Sequence, residues 1–215
     1  KQELSLSDGF VITVLFWIVL SVSGSIPFIL FGFGVVDSFF ESMSGITTTG
    51  ATVIAGLDDL PKSLLIYRQL LQWLGGMGLI VLAIAVMPLL GIGGGQLFKT
   101  QTPGPMSEQR LTPRITSTAR ALWSIYFVLT VLCIFAYRLA GMNYFDAVSH
   151  AFSTVSIGGF STHDLSIGFF DSLSIEIVCI TFMLLSAMSF AVHYSAIYRK
   201  QVLKYFYDPE LRFFV

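Results

Sequence analysis

Two short loops rich in glycine and hydroxyl residues are the segments whose composition could do chemistry. The first loop, residues 47–52, reads Thr-Thr-Thr-Gly-Ala-Thr, and the second loop, residues 156–161, reads Ser-Ile-Gly-Gly-Phe-Ser. Glycine reaches backbone conformations that are closed to other residues, so such a loop can turn its carbonyl groups inward. Rings of backbone carbonyls can replace the hydration shell of a cation, and hydroxyl groups add further oxygens. The composition therefore predicts a carbonyl-lined site for a dehydrated monovalent cation.

The spacing of the two loops indicates a repeated unit. Gly50 and Gly159 are 109 positions apart, as are Asp37 and Asp146, which begin the short apolar stretch before each loop. The long apolar segments on both sides of each loop recur with the same offset. We therefore predict a tandem repeat of helix, loop and helix, in which each aspartate caps a short helix or complements its dipole.

The overall composition is that of a membrane protein that crosses the bilayer several times. Of the 215 residues, 54% are hydrophobic and 12% are charged, whereas a soluble domain carries about 25% charged residues. The mean hydropathy is +0.78. The net charge of −1 gives no reason to expect a nucleic acid as partner, and the two cysteines cannot build a disulfide framework or a metal cluster. The glycine-rich stretch 91–95 follows an apolar helix rather than a strand, so we interpret it as a linker and not as a phosphate-binding loop.

Each unit is predicted to contain a spanning helix, a short re-entrant helix that ends at the loop, and a second long helix. About 20 apolar residues are needed to cross a bilayer, so the long segments can span it and the short ones cannot. The predicted helices are residues 10–34, 37–47 and 62–90 in the first unit and 119–140, 146–155 and 171–199 in the second. The predicted organisation is a first repeat at 1–95, a cytoplasmic linker at 96–118, a second repeat at 119–200 and, at 201–215, a cytoplasmic tail or the start of another repeat.

The charged residues of the connections predict which side of the membrane each one faces. Lysine and arginine concentrate in the linker and after the last long helix, so the positive-inside rule places both in the cytoplasm. The short helices then open from the outer face, where aspartates gather. These aspartates either raise the local cation concentration at an outer mouth or are ordinary solvated loop charges. They are Asp37, Asp58, Asp59, Asp146, Asp164 and Asp171.

Five further ionisable residues lie inside or near the predicted helices. Glu41 and His150 occupy matching places in the two short helices, where we expect them to support the loops from behind, with a direct role on an ion path as the alternative. Arg68, Arg138 and Glu176 lie near helix ends. For these three we expect snorkelling or surface ion pairs rather than a role in ion transfer.

The two loops, together with the sequence Leu-Gln-Trp-Leu-Gly-Gly-Met-Gly at 71–78, resemble the Trk/Ktr/HKT superfamily of potassium transporters, most closely its bacterial TrkH branch. The resemblance covers essentially the whole chain. It implies an all-α membrane protein whose helix–pore loop–helix units form a pseudo-fourfold, potassium-channel-like fold around one pore. It also implies that each loop is one quarter of a selectivity filter for K⁺. The implied ion-binding residues are Thr48, Thr49, Gly50, Ile157, Gly158 and Gly159, with Thr47, Ser156, Asp37 and Asp146 in support.

The family has four units around its pore, and this sequence contains two. We expect the chain to be part of a longer protein that supplies the two further repeats, with pairing of two chains as the alternative. The resemblance implies a multi-pass protein of the bacterial cytoplasmic (inner) membrane that works as a homodimer in the lipid bilayer. It further implies a TrkA-like cytosolic nucleotide-binding subunit as a regulatory partner, K⁺ as the transported ion and no covalent cofactor.

Three functions are compatible with the sequence. The first is K⁺ uptake through a channel-like filter, and the second is K⁺ symport coupled to H⁺ or Na⁺. No midmembrane carboxylate pair of the kind that a proton relay uses is present in the sequence, which favours the channel. The third is a membrane scaffold, or an intramembrane enzyme that uses His150 or His193, although neither needs two glycine-bearing loops in register. We expect no enzymatic activity.

Overall fold

The computed structural model describes residues 6–86, 111–188, 190–198 and 204–207, which form helices and loops and no β-strand. In the first repeat, helix α1 is Leu6–Phe31, α2 is Val35–Ile46 and α3 is Lys62–Val86. In the second repeat, α4 is Leu111–Leu139, α5 is Tyr144–Val155, α6 is Leu173–Ala187 and α7 is Phe190–Tyr198. The remaining described elements are the short helix α8, Lys204–Tyr207, and two 3₁₀ turns, Leu57–Asp59 and Ser166–Phe170.

The short helices α2 and α5 confirm the tandem repeat. Each is 12 residues long, and the first residues of the two helices are 109 positions apart, as are the last residues. Both helices begin two residues before the predicted start, so Asp37 and Asp146 lie in the first turn rather than at the cap position. The predicted all-helical class is likewise confirmed over the described residues.

Helices α1 and α4 have the surfaces of membrane-spanning helices. Among the described residues, Phe10–Phe31 (22 residues) and Ala119–Leu139 (21 residues) are long and apolar enough to cross a bilayer. Their large hydrophobic side chains, such as Val19 and Phe135, are mostly exposed in the isolated chain. Apolar side chains in such numbers on a surface indicate contact with lipid or with further apolar protein.

The second long helix of the second repeat is divided, whereas we predicted one helix at 171–199. α6 ends at Ala187, Met188 is extended (φ −65°, ψ 148°), and α7 begins at Phe190. The carbonyl of Leu185 accordingly loses the partner that another helical turn would supply. His193 replaces that partner, because its Nε2 donates to the Leu185 carbonyl (2.8 Å). The other ring nitrogen then accepts from the hydroxyl of Tyr205 (2.7 Å).

The predicted linker at 96–118 is partly helical. Helix α4 begins at Leu111, so the last eight residues of that linker belong to the helix. Residues 87–110, including the glycine-rich stretch 91–95, lie outside the described residues, as do most of residues 201–215.

Helix α3 connects the two repeats. The short helix α2 packs against α1 and α3, and α5 packs against α4 and α6, but α3 also packs against α4 and α5. The indole of Trp73 donates to the hydroxyl of Thr130 (3.0 Å), and the hydroxyl of Tyr126 donates to the Trp73 carbonyl (3.0 Å). These contacts hold α3 against the second repeat, so that its buried side chains Arg68 and Gln72 lie behind the second loop.

Candidate functional site

Helix α2 ends in a Schellman turn that begins the first loop. The amide of Thr49 donates to the carbonyl of Ser44 (2.9 Å), and the amide of Thr48 donates to the carbonyl of Gly45 (3.0 Å). In this turn the residue after the helix cap has a left-handed backbone, and it is usually glycine. Here that residue is Thr48, with φ 55°.

Helix α5 ends in the same way at the second loop. The amide of Gly158 donates to the carbonyl of Ser153 (2.8 Å), and the amide of Ile157 donates to the carbonyl of Thr154 (3.1 Å). Each of these four residues is 109 positions beyond its counterpart in the first loop. The repeat is therefore present in the individual hydrogen bonds as well as in the order of the helices.

Alternate residues of each loop have a left-handed backbone. The φ angles are 55° at Thr48 and 79° at Gly50, and 55° at Ile157 and 84° at Gly159. Successive peptides of an extended chain point to opposite sides, so a left-handed residue at every second position lets neighbouring carbonyls face the same side. A non-glycine residue in this region costs roughly 1–2 kcal/mol. Thr48 and Ile157 adopt it because the turn at the helix end fixes their amides.

The two loops touch each other at Gly50 and Gly158. A β-carbon added to Gly50 would lie 1.8 Å from the Gly158 carbonyl oxygen, against 3.4 Å or more in an ordinary contact. The structure therefore brings these two predicted residues together. At Gly159, by contrast, an added β-carbon would meet no atom of the described residues within 4 Å.

The hydroxyls of Thr47 and Ser156 have equivalent roles at the helix ends. Thr47 Oγ1 donates to the carbonyl of Met43 (2.7 Å), and Ser156 Oγ donates to the carbonyl of Phe152 (2.8 Å). Each of these carbonyls also accepts the backbone amide of the same residue, so the hydroxyl adds a second hydrogen bond at the helix end. The Thr47 hydroxyl also shares a hydrogen bond with that of Thr49 (2.7 Å).

The aspartates Asp37 and Asp146 have different environments despite their matching positions. Asp37 is exposed in the first turn of α2. Asp146 is buried, and its carboxylate accepts from the side-chain amide of Asn143 (2.6 Å) and from the hydroxyl of Thr162 (2.8 Å). The amide of Asp146 in turn donates to the side-chain oxygen of Asn143, which caps the helix (2.9 Å). Asp146 thus also holds the segment after the second loop.

A buried ion pair lies behind the first loop. Glu41 on α2 and Arg68 on α3 are both 0% exposed, with Arg68 Nη2 at 2.6 Å and Nε at 2.7 Å from Glu41 Oε1. The same carboxylate accepts from the hydroxyl of Thr52 (2.9 Å) and from the amide of Val53 (3.3 Å). The prediction that Arg68 snorkels or forms a surface pair is wrong, because the carboxylate on α2 provides a counter-charge inside the protein.

His150 occupies the corresponding place behind the second loop. Its Nδ1 lies 2.9 Å from the Asp146 carbonyl, an acceptor, so this nitrogen carries the hydrogen. Nε2 then accepts from the hydroxyl of Ser161 (2.9 Å), the residue that corresponds to Thr52. The expectation that Glu41 and His150 support the loops from behind is confirmed by these contacts.

Helix α3 also contacts the second loop directly. Arg68 Nη1 donates to the carbonyl of Ser161 (3.1 Å), and its guanidinium lies over the ring of Phe160, 4.3 Å from the centroid. Gln72 Oε1 accepts from the amide of Phe160 (3.1 Å). A β-carbon at Gly158 would lie 2.4 Å from the Gln72 amide carbon, so any other residue here would displace the Gln72 side chain from this position.

Carboxylates join the segments that follow the two loops. Asp164 of the second repeat accepts from the amides of Gly56 and Leu57 in the first (both 3.1 Å). Asp58 of the first repeat pairs with His163 of the second. The hydrogen bond from the imidazole lowers the pKa of Asp58 below its usual value. Two of the six clustered aspartates therefore link the repeats.

The helices and loops define an all-helical membrane protein built from duplicated helix–pore loop–helix units. A family model described as TrkH, cation transport protein, matches residues 1–215. The chain belongs to this family.

Individual relatives are similar over nearly all of this chain. It is 57% identical over 216 residues to the Trk system potassium uptake protein TrkH of Halomonas elongata, covering 99% of this chain and 45% of that protein. It is 50% identical over 218 residues to the protein of the same name from Escherichia coli, again covering 45% of that relative. The crystal structure of the potassium transporter TrkH from Vibrio parahaemolyticus superposes with a TM-score of 0.85 at 52% identity, covering 99% of this chain and 43% of that one. The chain thus spans less than half the length of these relatives.

Proposed function

We propose that the two loops form half of a K⁺-selective filter. The full-length protein then takes up K⁺ across the bacterial cytoplasmic membrane as the pore-forming subunit of a Trk-type system. The observation that carries the proposal is the matching left-handed backbone at alternate residues of both loops, which meet at Gly50 and Gly158. Carbonyls turned to one side provide what a dehydrated K⁺ ion needs. The names of the relatives, potassium uptake protein and potassium transporter, agree with this ion.

The proposal assigns ion coordination to the backbone and orientation to the side chains. The coordinating carbonyls are those of residues 48–50 and 157–159, and the hydroxyls of Thr47 and Ser156 fix the helix ends that precede them. The C-terminal ends of α2 and α5 carry the negative end of each helix dipole, which favours a cation beside them. Asp146 acts indirectly by holding the segment after the second loop, and Asp37 complements the dipole of α2.

Ion flux through the full-length protein in liposomes tests the proposal. We expect K⁺ flux to exceed Na⁺ flux, because the loop carbonyls replace the hydration shell of the larger ion. Gly50→Ser and Gly159→Ser should each reduce the K⁺/Na⁺ permeability ratio about tenfold or more, equivalent to about 1.4 kcal/mol. Gly56→Ser is the control, since Gly56 has a similar φ of 73° but lies outside the loops. An unchanged ratio in both loop variants would refute the filter.

The same preparation separates a channel from a symporter and from a scaffold. Through a channel, K⁺ flux follows the K⁺ gradient and the voltage alone, and we propose this mode. Flux that depends on an imposed H⁺ or Na⁺ gradient would instead indicate coupled symport. A protein that carries no K⁺ flux in any gradient would be a scaffold.

We further propose the assembly that the resemblance implies. Residues 1–95 and 119–200 are two of four pore repeats, joined by a cytoplasmic linker, and two full-length chains form a homodimer that binds a TrkA-like nucleotide-binding subunit on the cytoplasmic side. The protein has no enzymatic activity in this proposal, and the names of its relatives describe transport. Light scattering of the purified protein measures the dimer, and co-purification with the cytosolic subunit measures the complex. A monomer that never retains the subunit would contradict this assembly.

A further inference from the structure

We propose that Arg68 is a positioning residue that fixes the second loop to the first through one buried ion pair with Glu41. The inference rests on the proposed function of the loops as a K⁺ filter, and it concerns how their relative position is set. A charged side chain buried in the first repeat donates hydrogen bonds to both loops, at Thr52 and at Ser161, and takes no part in ion coordination itself.

The guanidinium of Arg68 reaches both loops at once. On one side, Nε donates to Glu41 Oε1 (2.7 Å) and Nη2 lies 2.6 Å from the same oxygen. Nη2 itself donates to the hydroxyl of Thr52 in the first loop (3.1 Å). On the other side, Nη1 donates to the carbonyl of Ser161 (3.1 Å). Because the guanidinium is planar and rigid, the bonds from Nε to Glu41 and from Nη2 to Thr52 together fix the direction of Nη1. The position of the Ser161 carbonyl is thereby tied to helix α2.

The aromatic ring of Phe160 stacks on one face of the Arg68 guanidinium. Its centroid lies 4.3 Å from Arg68 Cζ, and its amide is held by Gln72 from the same helix. Phe160 and Ser161 directly follow Gly159. A shift of the guanidinium would therefore move the chain immediately next to the proposed ion-coordinating residues.

The second repeat has no equivalent of this ion pair among the described residues. The residue that corresponds to Arg68 is Ile177, which is 54% exposed, and the residue that corresponds to Glu41 is His150. His150 holds the hydroxyl of Ser161 within its own repeat, whereas Arg68 holds the carbonyl of the same residue from the first repeat. The ion pair consequently sets the distance between loops, and the His150 contact sets the conformation of one loop.

Two variants separate positioning from general stability. In Arg68→Lys the ammonium group can pair with Glu41 but lacks the rigid fork that reaches Ser161 as well. In the double variant Glu41→Gln with Arg68→Met, no unpaired charge remains buried, so folding should be kept. Glu41→Gln alone leaves the guanidinium without a counter-charge and should lower the thermal stability. Arg138→Lys is the matched control, since Arg138 stacks on Tyr144 (3.9 Å) near the end of α4, away from the loops.

We expect Arg68→Lys and the double variant to keep a melting temperature near that of the parent. The K⁺/Na⁺ permeability ratio should fall at least about tenfold, the lower end of the effect of losing a hydrogen bond to a charged group. Arg138→Lys should leave the ratio unchanged. If both variants fold and keep the K⁺/Na⁺ permeability ratio of the parent, the proposal is overturned. If neither variant folds, it is overturned as well, because Arg68 then contributes to stability alone. If the parent itself shows no K⁺ flux, the proposed function fails. A selective parent with selective variants refutes only the role of Arg68.

Discussion

Replacing Gly50 with alanine tests whether contact between the loops, rather than backbone strain, determines ion binding. Alanine at this position meets two separate obstacles. The φ of 79° costs roughly 1–2 kcal/mol for any residue with a β-carbon. The β-carbon would also lie 1.8 Å from the Gly158 oxygen, so the two loops must separate by about 1.6 Å to restore a contact of 3.4 Å.

Gly56→Ala provides the matched control because it meets only the first obstacle. Gly56 has φ 73° and ψ 41°, and a β-carbon there would find no described atom within 4 Å. Both variants should therefore lose roughly 1–2 kcal/mol of stability from strain. Only Gly50→Ala should displace the carbonyls that we propose to bind K⁺.

Thermal unfolding of the full-length protein over a range of K⁺ concentrations measures the difference. A ligand that binds the folded state at 100 times its Kd stabilises that state by about 2.7 kcal/mol. We expect the parent and Gly56→Ala to show this K⁺-dependent stabilisation, with Na⁺ much less effective, and Gly50→Ala to lose most of it. Full K⁺-dependent stabilisation of Gly50→Ala would show that the loop contact is irrelevant to the ion site and would refute the reasoning.

Three further predictions concern the residues around the loops. Gln72→Ala leaves the buried amide of Phe160 without its acceptor and should destabilise the protein by about 1–3 kcal/mol in thermal unfolding; a change below about 0.5 kcal/mol would contradict this contact. Asp146→Ala should cost a similar amount because it releases buried hydrogen bonds, whereas Asp37→Ala, at the matching but exposed position, should stay within about 0.5 kcal/mol. The pKa of Asp58 is lowered in the folded state, so its contact contributes stability above the unfolded-state pKa of about 3.9 and loses it as the pH falls through the lower folded value. The protection factors of amides in the segment after the first loop, that is, their hydrogen-exchange rates corrected for the intrinsic pH dependence, should thus stay constant from neutral pH to about 4 and fall below it, and Asp58→Asn should remove that step.

The architecture of the two repeats could be predicted from sequence because it depends on local patterns. Apolar length distinguishes spanning from short helices, and a constant offset of 109 residues relates the two units. Gly50 and Gly159 could also be predicted to adopt unusual backbone conformations, since glycine alone reaches them without strain. The left-handed Thr48 and Ile157 could not, because nothing in a threonine or an isoleucine marks that conformation. It is imposed by the hydrogen bonds of the turn.

The burial of Arg68 could not be predicted either, because it depends on how α3 packs against α2 and against the second repeat. Arg68 lies six residues after the first residue of its helix, about 9 Å along the axis, and this position is compatible with both an exposed and a buried side chain. The available signal was the pair of opposite charges, Glu41 and Arg68, within otherwise apolar helices. A buried carboxylate requires a partner, and the only arginine of the adjacent described helix could have been matched to it. The break after Ala187 carries no proline and had no comparable signal.

The two repeats conserve backbone geometry while their side chains differ. The turns at Thr48 and Ile157 have the same φ and equivalent hydrogen bonds, yet the residue types differ, and Glu41 is replaced by His150 behind the loop. If backbone carbonyls coordinate the ion, the function constrains the backbone conformation of the loop. Different side chains can then serve equally well, provided that they stabilise this conformation. A pore assembled from unequal repeats can then have equivalent coordinating atoms at every position while each repeat supports them with its own chemistry. Arg68 contacts both repeats, through Glu41 in the first and the Ser161 carbonyl in the second. We therefore expect it to tolerate substitution less than the side chains that contact only one loop.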